Sequence, residues 1–317
     1  MSAAVLDKIR EVIQQDIGKR GLARDPHDNL FTACRDDFAN ACRSIAETPQ
    51  AALAVVTGFP IVGTDPCCGE TDGPLGALFL ARALTLLGVR ITLVADSFCR
   101  QALEVGLQAA EKGVRDLFLA KDIPVSETVP DTFFHLTHLL SLERAGPGHD
   151  GRCRNMHGLD ITDKTTPVHL LFEDAAGRTP PLTTIGIGDG GNEIGMGKVP
   201  PEMIARNILH GERIACRVPT DHLIVAGVSN WGAYALAAGV AVLRRQRLPA
   251  SLFDVERERE LLRVMVEQGP LVDGVTARQT VTVDGLVFDE YAEPLRRIGE
   301  LLEKEQCLTC AEQPGPR

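Results

Sequence analysis

The first apolar pattern along the chain has helical spacing. In residues 3–17 it is carried by Val5, Ile9, Val12, Ile13 and Ile17. This spacing predicts an amphipathic helix that ends before Gly18 and Gly21. A second helix is predicted to begin near Asp28 and Asn29, which are good N-cap residues, and to run to Pro49. Together the two helices form an N-terminal layer or arm.

From residue 51 onward, short apolar runs alternate with longer amphipathic ones. The runs predict strands at 52–59, 89–96, 116–120, 135–143, 182–188 and 222–228, and helices at 73–88, 101–113, 230–246 and 289–304. Strands that are apolar on both faces and separated by helices indicate βαβ units. We therefore expect one α/β domain over residues 1–317, a three-layer αβα sandwich with a mainly parallel, Rossmann-like sheet. Residues 1–50 are its helical extension, 51–305 its core and 306–317 a tail.

Composition and charge narrow the class of partner. The formal net charge is −10, and lysines and arginines form no cluster, which argues against nucleic acid or an anionic membrane. Apolar runs are far shorter than a membrane span, and the first residues lack the apolar segment of a secretory signal. We expect a cytoplasmic protein that binds a small molecule, and the sequence is compatible with a homo-oligomer.

The cysteines favour reduced thiols. There are nine of them, without a repeating spacing, in a chain too long to need disulfides for stability. Cys67 and Cys68 are adjacent, and adjacent cysteines rarely bridge each other without strain. The C-x-x-C at Cys307 and Cys310 has no second pair to complete a zinc site, so we expect it to belong to a frayed tail.

Candidate chemistry lies in the loops that follow strands, because open parallel sheets bind ligands there. The first loop ends in "GETDGPLGA", where Thr71 or Asp72 can cap the next helix and Pro74 fits its first turn. Free N–H groups at a helix start favour a carboxylate or phosphate. The residues predicted to bind substrate here are Gly69, Glu70, Thr71 and Gly73, with Asp72 as a catalytic candidate. An inert loop is the structural alternative.

A second loop, residues 143–172, carries two arginines beside several acids. Arg152, Arg154 and Asn155 are candidates for a lid that holds a carboxylate by paired hydrogen bonds. A solvated hairpin in which the arginines pair with neighbouring acids explains the same spacing equally well.

The third loop lies in "TIGIGDGGNEIGMGKV", residues 184–199, which contains G-x-G-x-x-G. A dinucleotide fingerprint requires these glycines to open a helix directly, and the glycines and prolines that follow oppose one. Nor does Lys198 fit a P-loop. We interpret the glycines as a flexible support that presents Asp189, Asn192 and Glu193 at a strand end.

The fourth loop, in "AGVSNWGAYAL", places Ser229 and Asn230 where a strand passes into a helix. Ser229 can cap that helix and Asn230 can bind a ligand. The sequence is not the G-x-S-x-G of a hydrolase nucleophile.

These loop sequences, together with "DGRCRNMHGLDIT", resemble the D-glutamate cyclase family over roughly residues 5–300. Members of that family carry aromatic residues where this chain has Cys153 and Arg154, and an arginine where it has His157. These differences fall in the predicted lid and bear on the identity of the substrate.

The resemblance implies a carbon–oxygen lyase that closes D-glutamate to 5-oxo-D-proline, or catalyses the reverse hydrolysis. Ring closure needs a base for the amine, an acid for the departing water and an anchor for the α-carboxylate. Asp189 or Glu193 is the candidate base. The helix start at Gly73, with Thr71, is a candidate to stabilise an oxyanion or bind one carboxylate, and Arg152 or Arg154 is a candidate to bind the other. The candidates for further hydrogen bonds to the substrate are Asn155, Asn192, Ser229 and Asn230. No cofactor is required, although Asp72, Asp189 and Glu193 are suitable ligands for a divalent metal.

Two other function classes remain open from the sequence. One is a nucleotide- or phosphate-dependent enzyme that uses the "GETDGPLGA" loop. The other is a non-catalytic amino-acid-binding module of the same fold, which the differences in the lid favour.

Overall fold

The computed structural model of the chain describes residues 2–64, 66–110, 116–119 and 135–311. Its helices are α1 Ser2–Ile13, α2 Leu30–Ala33, α3 Asp37–Glu47, α4 Pro74–Leu86, α5 Ser97–Ala109, α6 His169–Glu173, α7 Pro201–Asn207, α8 Gly211–Ile214, α9 Ser229–Arg244, α10 Val255–Glu267, α11 Phe288–Tyr291 and α12 Glu293–Ala311. Its strands are β1 Ala52–Thr57, β2 Pro60–Ile61, β3 Cys68–Gly69, β4 Arg90–Ala95, β5 Asp116–Leu119, β6 His138–Leu142, β7 Thr183–Gly188, β8 His222–Val225, β9 Thr282–Val283 and β10 Leu286–Val287.

Six strands form one parallel sheet in the order β5-β4-β1-β6-β7-β8. Numbered along the chain among themselves, these strands follow the 3-2-1-4-5-6 order of doubly wound nucleotide-binding folds. The direction of winding reverses between β1 and β6, and such a reversal opens a crevice at the carboxyl ends of the two strands. The predicted parallel, Rossmann-like sheet is confirmed.

Both faces of the sheet are apolar and covered by helices. On β1, Leu53 and Val55 face a cluster that includes residues of α1, α3, α4, α5, α9, α10 and α12. Ala54 and Val56 face the opposite cluster, to which α2, α6, α7 and α8 contribute. Because strand side chains alternate between faces, one apolar run serves two cores. This arrangement confirms the predicted αβα sandwich.

Several predicted helix boundaries differ from those observed. The first helix ends at Ile13, and the second is broken between α2 and α3, although Asn29 caps α2 as predicted. Helix α12 continues to Ala311, past the predicted start of the tail. The end predicted for the second core helix, residues 111–113, and the tail residues 312–317 lie outside the described residues.

The N-terminal helices are part of the apolar core. Helices α1 and α3 pack against α9. The chain after α1 then docks on the loop that follows β8, where the N–H of Gly227 donates to the carbonyl of Ile13 (2.8 Å). A Cβ at Gly227 would clash with the carbonyl oxygen of Gln15. This close approach carries residues 14–21 toward the carboxyl edge of the sheet.

Among the described residues, no helix combines the length and apolar character that crossing a bilayer demands.

Candidate active site

Six buried carboxyl groups gather at the carboxyl edge of the sheet. These side chains, which we call the acidic cluster, are Glu70, Asp72, Glu143, Asp189, Glu193 and Asp284. Glu143 and Asp189 directly follow β6 and β7. One ligand oxygen from each of Asp72, Glu143 and Asp189 lies within 4.8 Å of the others. Ionised carboxylates this close repel one another strongly in a buried setting.

One guanidinium lies within the acidic cluster. Arg20, from the segment after α1, forms ion pairs with Asp189 and with Asp284, the latter at 2.6 Å. Burial alone would lower the pKa of Arg20, but the charges of the surrounding carboxylates, first Asp189 and Asp284 and then Glu143 and Asp72, together raise it. Arg20 therefore stays charged and offsets part of the negative charge.

Asp284 reaches Arg20 from a tight hairpin. It precedes Gly285 in the turn between β9 and β10, and both residues have positive φ (55° and 76°). Asp-Gly favours such two-residue turns because both positions tolerate this backbone conformation. The Gly285 N–H donates to the buried Asp273 carboxylate (2.8 Å), which fixes the hairpin.

Glu193 organises the glycine-rich loop. Its carboxylate accepts the N–H groups of Asp189, Gly190 and Gly191 at 2.6–2.8 Å. Consecutive N–H groups that converge in this way form an anion-binding nest. No helix follows β7 until Pro201. The glycines therefore do not open a helix directly, as the sequence predicts. The nest holds the protein's own carboxylate and sets the position of Asp189.

Helices α4 and α9 cap each other across the site. The Asn230 amide oxygen accepts the N–H groups of Gly73 (2.9 Å) and Gly76 (2.7 Å) at the start of α4. Asp72 in turn accepts the N–H groups of Ser229 and Asn230, both at 2.8 Å, at the start of α9. The predictions that Thr71 or Asp72 caps α4 and that Ser229 caps α9 are wrong, because the two helix starts lie side by side.

Four groups at the site have oxygen atoms that are buried and lack a hydrogen-bond partner among the described residues. They are Oε1 of Glu70, Oδ2 of Asp284 and the hydroxyls of Thr57 and Thr71. Oδ2 of Asp189 is buried as well, and its contact is the ion pair with Arg20. Ser229 is differently placed, since its hydroxyl donates to Glu143 Oε2 at 2.5 Å.

Burial is the largest influence on the pKa of four members of the cluster. It raises the pKa of Asp72 to about 7, reinforced by the charge of Asp284. Burial, followed by the charges of neighbouring carboxylates, raises the pKa of Glu70 and of Glu143 well above its usual range. The pKa of Asp189 is also raised well above its usual range by burial, although Arg20 opposes the shift. Near neutral pH the cluster therefore retains protons as well as negative charge.

The predicted lid arginines pair with acids of their own loop. Arg152 is largely exposed and pairs with Asp160, while Arg154 pairs with Asp150 and its side chain is only 12% exposed. The Asn155 side chain accepts two N–H groups of its own turn. These pairings are those of the hairpin alternative, although Arg154 is largely shielded from solvent.

The lid loop nevertheless contacts the site loops. The amide of Asn192 donates to the carbonyl of Arg154 at 2.7 Å. Cys153 is buried against Phe59 in the first loop, whereas His157 is exposed. Of the positions that differ from the family pattern, Cys153 is thus a packing residue.

Gly69 contributes through its backbone. Its carbonyl accepts the N–H of Val272 (3.0 Å), and a Cβ there would clash with Cys99 Sγ. Thr71 N–H donates to the carbonyl of Val272 at 2.9 Å, so the first site loop is paired with the segment that leads to the hairpin of Asp284.

A profile of the "D-glutamate cyclase-like, C-terminal" family matches residues 9–299. The chain belongs to this family. Human mitochondrial D-glutamate cyclase is 31% identical over 94% of the chain, and the match covers 52% of the human protein. The chain therefore spans about half the length of that relative.

In this D-glutamate cyclase-like chain, the acidic cluster also fits the geometry of a divalent cation site. Asp72, Glu143 and Asp189 offer hard oxygen ligands within 4.8 Å of one another, a set that suits magnesium, manganese or calcium better than zinc. An ion at this position would compete with Arg20 for Asp189.

The sequence patterns did not single out four residues that lie at the site of this chain. They are Arg20, Glu143, Arg144 and Asp284. Glu143 could have been found, because it follows a strand as Asp189 does. The fully buried Arg144 joins two strand ends, since it pairs with Asp96 after β4 and donates to the carbonyl of Gly58 (3.0 Å) after β1. Arg20 and Asp284 had no local signal that places them at the site.

Proposed function

We propose that the protein is a lyase of the D-glutamate cyclase type, which closes D-glutamate to 5-oxo-D-proline and water. The observation that carries the proposal is the acidic cluster at the carboxyl edge of the sheet, which combines retained protons with negative charge around Arg20. Family membership and the name of the human relative support the substrate.

The reaction needs one base and one acid in the same enclosed space. The α-amine nitrogen forms a bond to the γ-carboxyl carbon, and a carbon–oxygen bond to that carbon breaks. Starting from the ammonium and carboxylate forms, two protons leave the nitrogen and two protons join the departing oxygen to make water. A cluster that holds both carboxylates and carboxylic acids performs both transfers. Holding the chain folded supplies the large effective concentration of a ring closure.

We assign the base to Asp189 and the acid to Glu143. Asp189 faces Arg20, which stabilises its ionised form, whereas burial strengthens it as a base. Glu143 lies beside Asp189, and burial favours its protonated form. The Ser229 hydroxyl hydrogen-bonds Glu143 and orients it.

Arg20 and the buried hydroxyls provide anchors for the α-carboxylate. Arg20 uses one nitrogen on each aspartate, so further N–H donors remain on its guanidinium. Thr57 and Thr71 are donors without a partner among the described residues. These groups replace Arg152 and Arg154 in the proposed role.

A divalent cation on Asp72, Glu143 and Asp189 would supply Lewis-acid polarisation of a substrate carboxyl oxygen. The phosphate-dependent alternative is less well supported. The Gly73 and Gly76 N–H groups that would receive a phosphate already donate to Asn230.

The first test measures the reaction directly. Purified protein is incubated with D-glutamate, with and without EDTA, and D-glutamate and 5-oxo-D-proline are separated by chiral chromatography. We expect the lactam to form, and loss of activity in EDTA would reveal a required metal.

Replacing the base, Asp189→Asn, should lower kcat by about 10²- to 10⁴-fold, while the exposed control Asp163→Asn should not. The proposal would be overturned if D-glutamate gave no lactam and 5-oxo-D-proline gave no D-glutamate. A folded Asp189→Asn protein with full activity would also overturn it.

A further inference from the structure

Seven backbone N–H groups around the acidic cluster donate to side chains of the protein itself. Glu193 takes the N–H groups of residues 189–191. Asp72 takes two at the start of α9, and Asn230 takes two at the start of α4. Internal carboxyl and amide oxygens therefore occupy the nest and the two helix starts.

The polar surface left for a ligand is rich in acceptors. Apart from Asp72 and Glu193, which hold backbone N–H groups, the cluster places Glu70, Glu143, Asp189 and Asp284 around the guanidinium of Arg20. Oε1 of Glu70 is buried and accepts no hydrogen bond from any described residue. Glu70 Oε2 lies close against Gly274, where a Cβ would clash with it, so the carboxyl group is packed in place. A buried acceptor without a donor is costly, and a ligand that brings donors relieves that cost.

Donor content distinguishes the ligands that could occupy the site. A γ-carboxylate only accepts hydrogen bonds, and it brings another negative charge into the cluster. A γ-carboxamide is neutral, and its NH2 group offers two donors. The α-ammonium group offers three more in either ligand.

We propose that the site acts on γ-glutamyl amides, glutamine or a γ-glutamyl amine, and prefers them to free glutamate. The inference rests on the ring closure proposed above and names a substrate class for the same site. The NH2 group of the amide donates to Glu70 and to a neighbouring carboxylate of the cluster.

The chemistry balances without a cofactor or oxidant. The α-amine nitrogen bonds to the γ-carbonyl carbon, and the carbon–nitrogen bond of the amide breaks. The ammonium nitrogen loses two protons to cluster carboxylates, and the departing nitrogen gains two from cluster carboxylic acids. The products are 5-oxoproline and an ammonium ion, or the protonated amine.

The test compares D-glutamine with D-glutamate on the same purified protein. Lactam is measured by chiral chromatography and ammonia by an enzymatic assay. Protein-free incubations correct for spontaneous cyclisation of glutamine. We expect kcat/KM for D-glutamine to exceed that for D-glutamate by at least about tenfold, the factor that one net hydrogen bond of about 1.4 kcal/mol provides. Turnover of D-glutamine alone would support this inference and overturn the glutamate reaction.

Other outcomes separate the two proposals. Equal or faster turnover of D-glutamate would overturn the inference and leave the cyclase proposal intact. If neither compound reacts, the cyclase proposal and this inference both fail.

A variant tests the assigned acceptor. Glu70→Gln replaces a carboxylate oxygen by an NH2 group of the same size, so it should lower the ratio of amide to acid kcat/KM by about tenfold. The exposed Glu202→Gln is the matched control and should leave the ratio unchanged. A folded Glu70→Gln protein with an unchanged ratio would overturn the role of Glu70, and with it the proposed recognition.

Discussion

Individual carboxylates of the acidic cluster have different tasks although they lie close together. Glu193 is fully buried, and its two carboxylate oxygens accept three backbone N–H groups. Asp72 holds the start of α9. Asp189 and Asp284 pair with Arg20, whereas Oε1 of Glu70 meets no donor among the described residues. Hydrogen-bond partners therefore separate the supporting acids from those that face a ligand.

We predict that Glu193→Gln destabilises the fold. The substitution turns one acceptor oxygen into an NH2 group that faces backbone N–H donors, so at least one buried N–H loses its partner. The expected loss is about 1–3 kcal/mol in the free energy of unfolding, measured by urea denaturation. Glu202→Gln, on the surface, should change it little. Equal free energies of unfolding for the two variants would contradict the stabilising role of Glu193 in the nest.

The sequence located some of these residues by a simple rule of position. Asp189 and Ser229 were found because a polar residue follows an apolar strand or starts the next helix, and Glu143 obeys the same rule. Their roles were harder to predict, since the partner of Asp72 is Asn230, far away in the sequence. Capping rules assume a local partner, and here the helices exchange caps.

At the scale of elements, the site depends on segments outside the central strands. The stretch after α1 supplies Arg20, and the β9–β10 hairpin supplies Asp284. The sequence predicted the sheet well because its strands are continuous apolar runs. It gave no indication that these two segments meet, because no local pattern records a contact between distant parts of a chain.

We predict that Gly227→Ala loosens the segment that carries Arg20. The added methyl group would clash with the carbonyl of Gln15, and relief of such overpacking typically costs about 1–3 kcal/mol. Amide hydrogen exchange should become faster in residues 14–21, the segment that contains Arg20, and the rate of lactam formation should fall. Gly177→Ala is the control, since its Cβ would meet nothing within 4 Å. Unchanged exchange in the Gly227→Ala protein would refute the docking.

The stability of the whole molecule depends on pH through groups with opposite effects. His138 opens β6 and is almost fully buried, and burial lowers its pKa to about 4. The folded state keeps it neutral where the unfolded state takes up a proton. Its contribution to stability is therefore complete above about pH 6.5 and is lost as the pH falls toward 4. Glu70, Asp72, Glu143 and Asp189 act in the opposite direction, because burial raises their pKa values.

Substituting His138 should isolate its contribution to the pH dependence of stability. Between pH 7.5 and 4.5, His138→Gln should lose less stability, or gain more, than the unsubstituted protein, by about 2–3 kcal/mol at about 1.4 kcal/mol per pH unit. Urea denaturation at both pH values measures this difference. The exposed His149→Gln should behave like the parent. If the two substituted proteins had the same pH dependence, His138 would not be the responsible group.

The ion pair between Arg20 and Asp284 joins an early part of the sequence to a late one. A ribosome adds about 5–20 residues per second, so Arg20 is made on the order of tens of seconds before Asp284. In the last part of that interval Asp189 and Glu193 have been made, but the hairpin that carries Asp284 has not. The buried surroundings of the acidic cluster, on which the proposed chemistry depends, are therefore complete only after the β9–β10 hairpin has been translated.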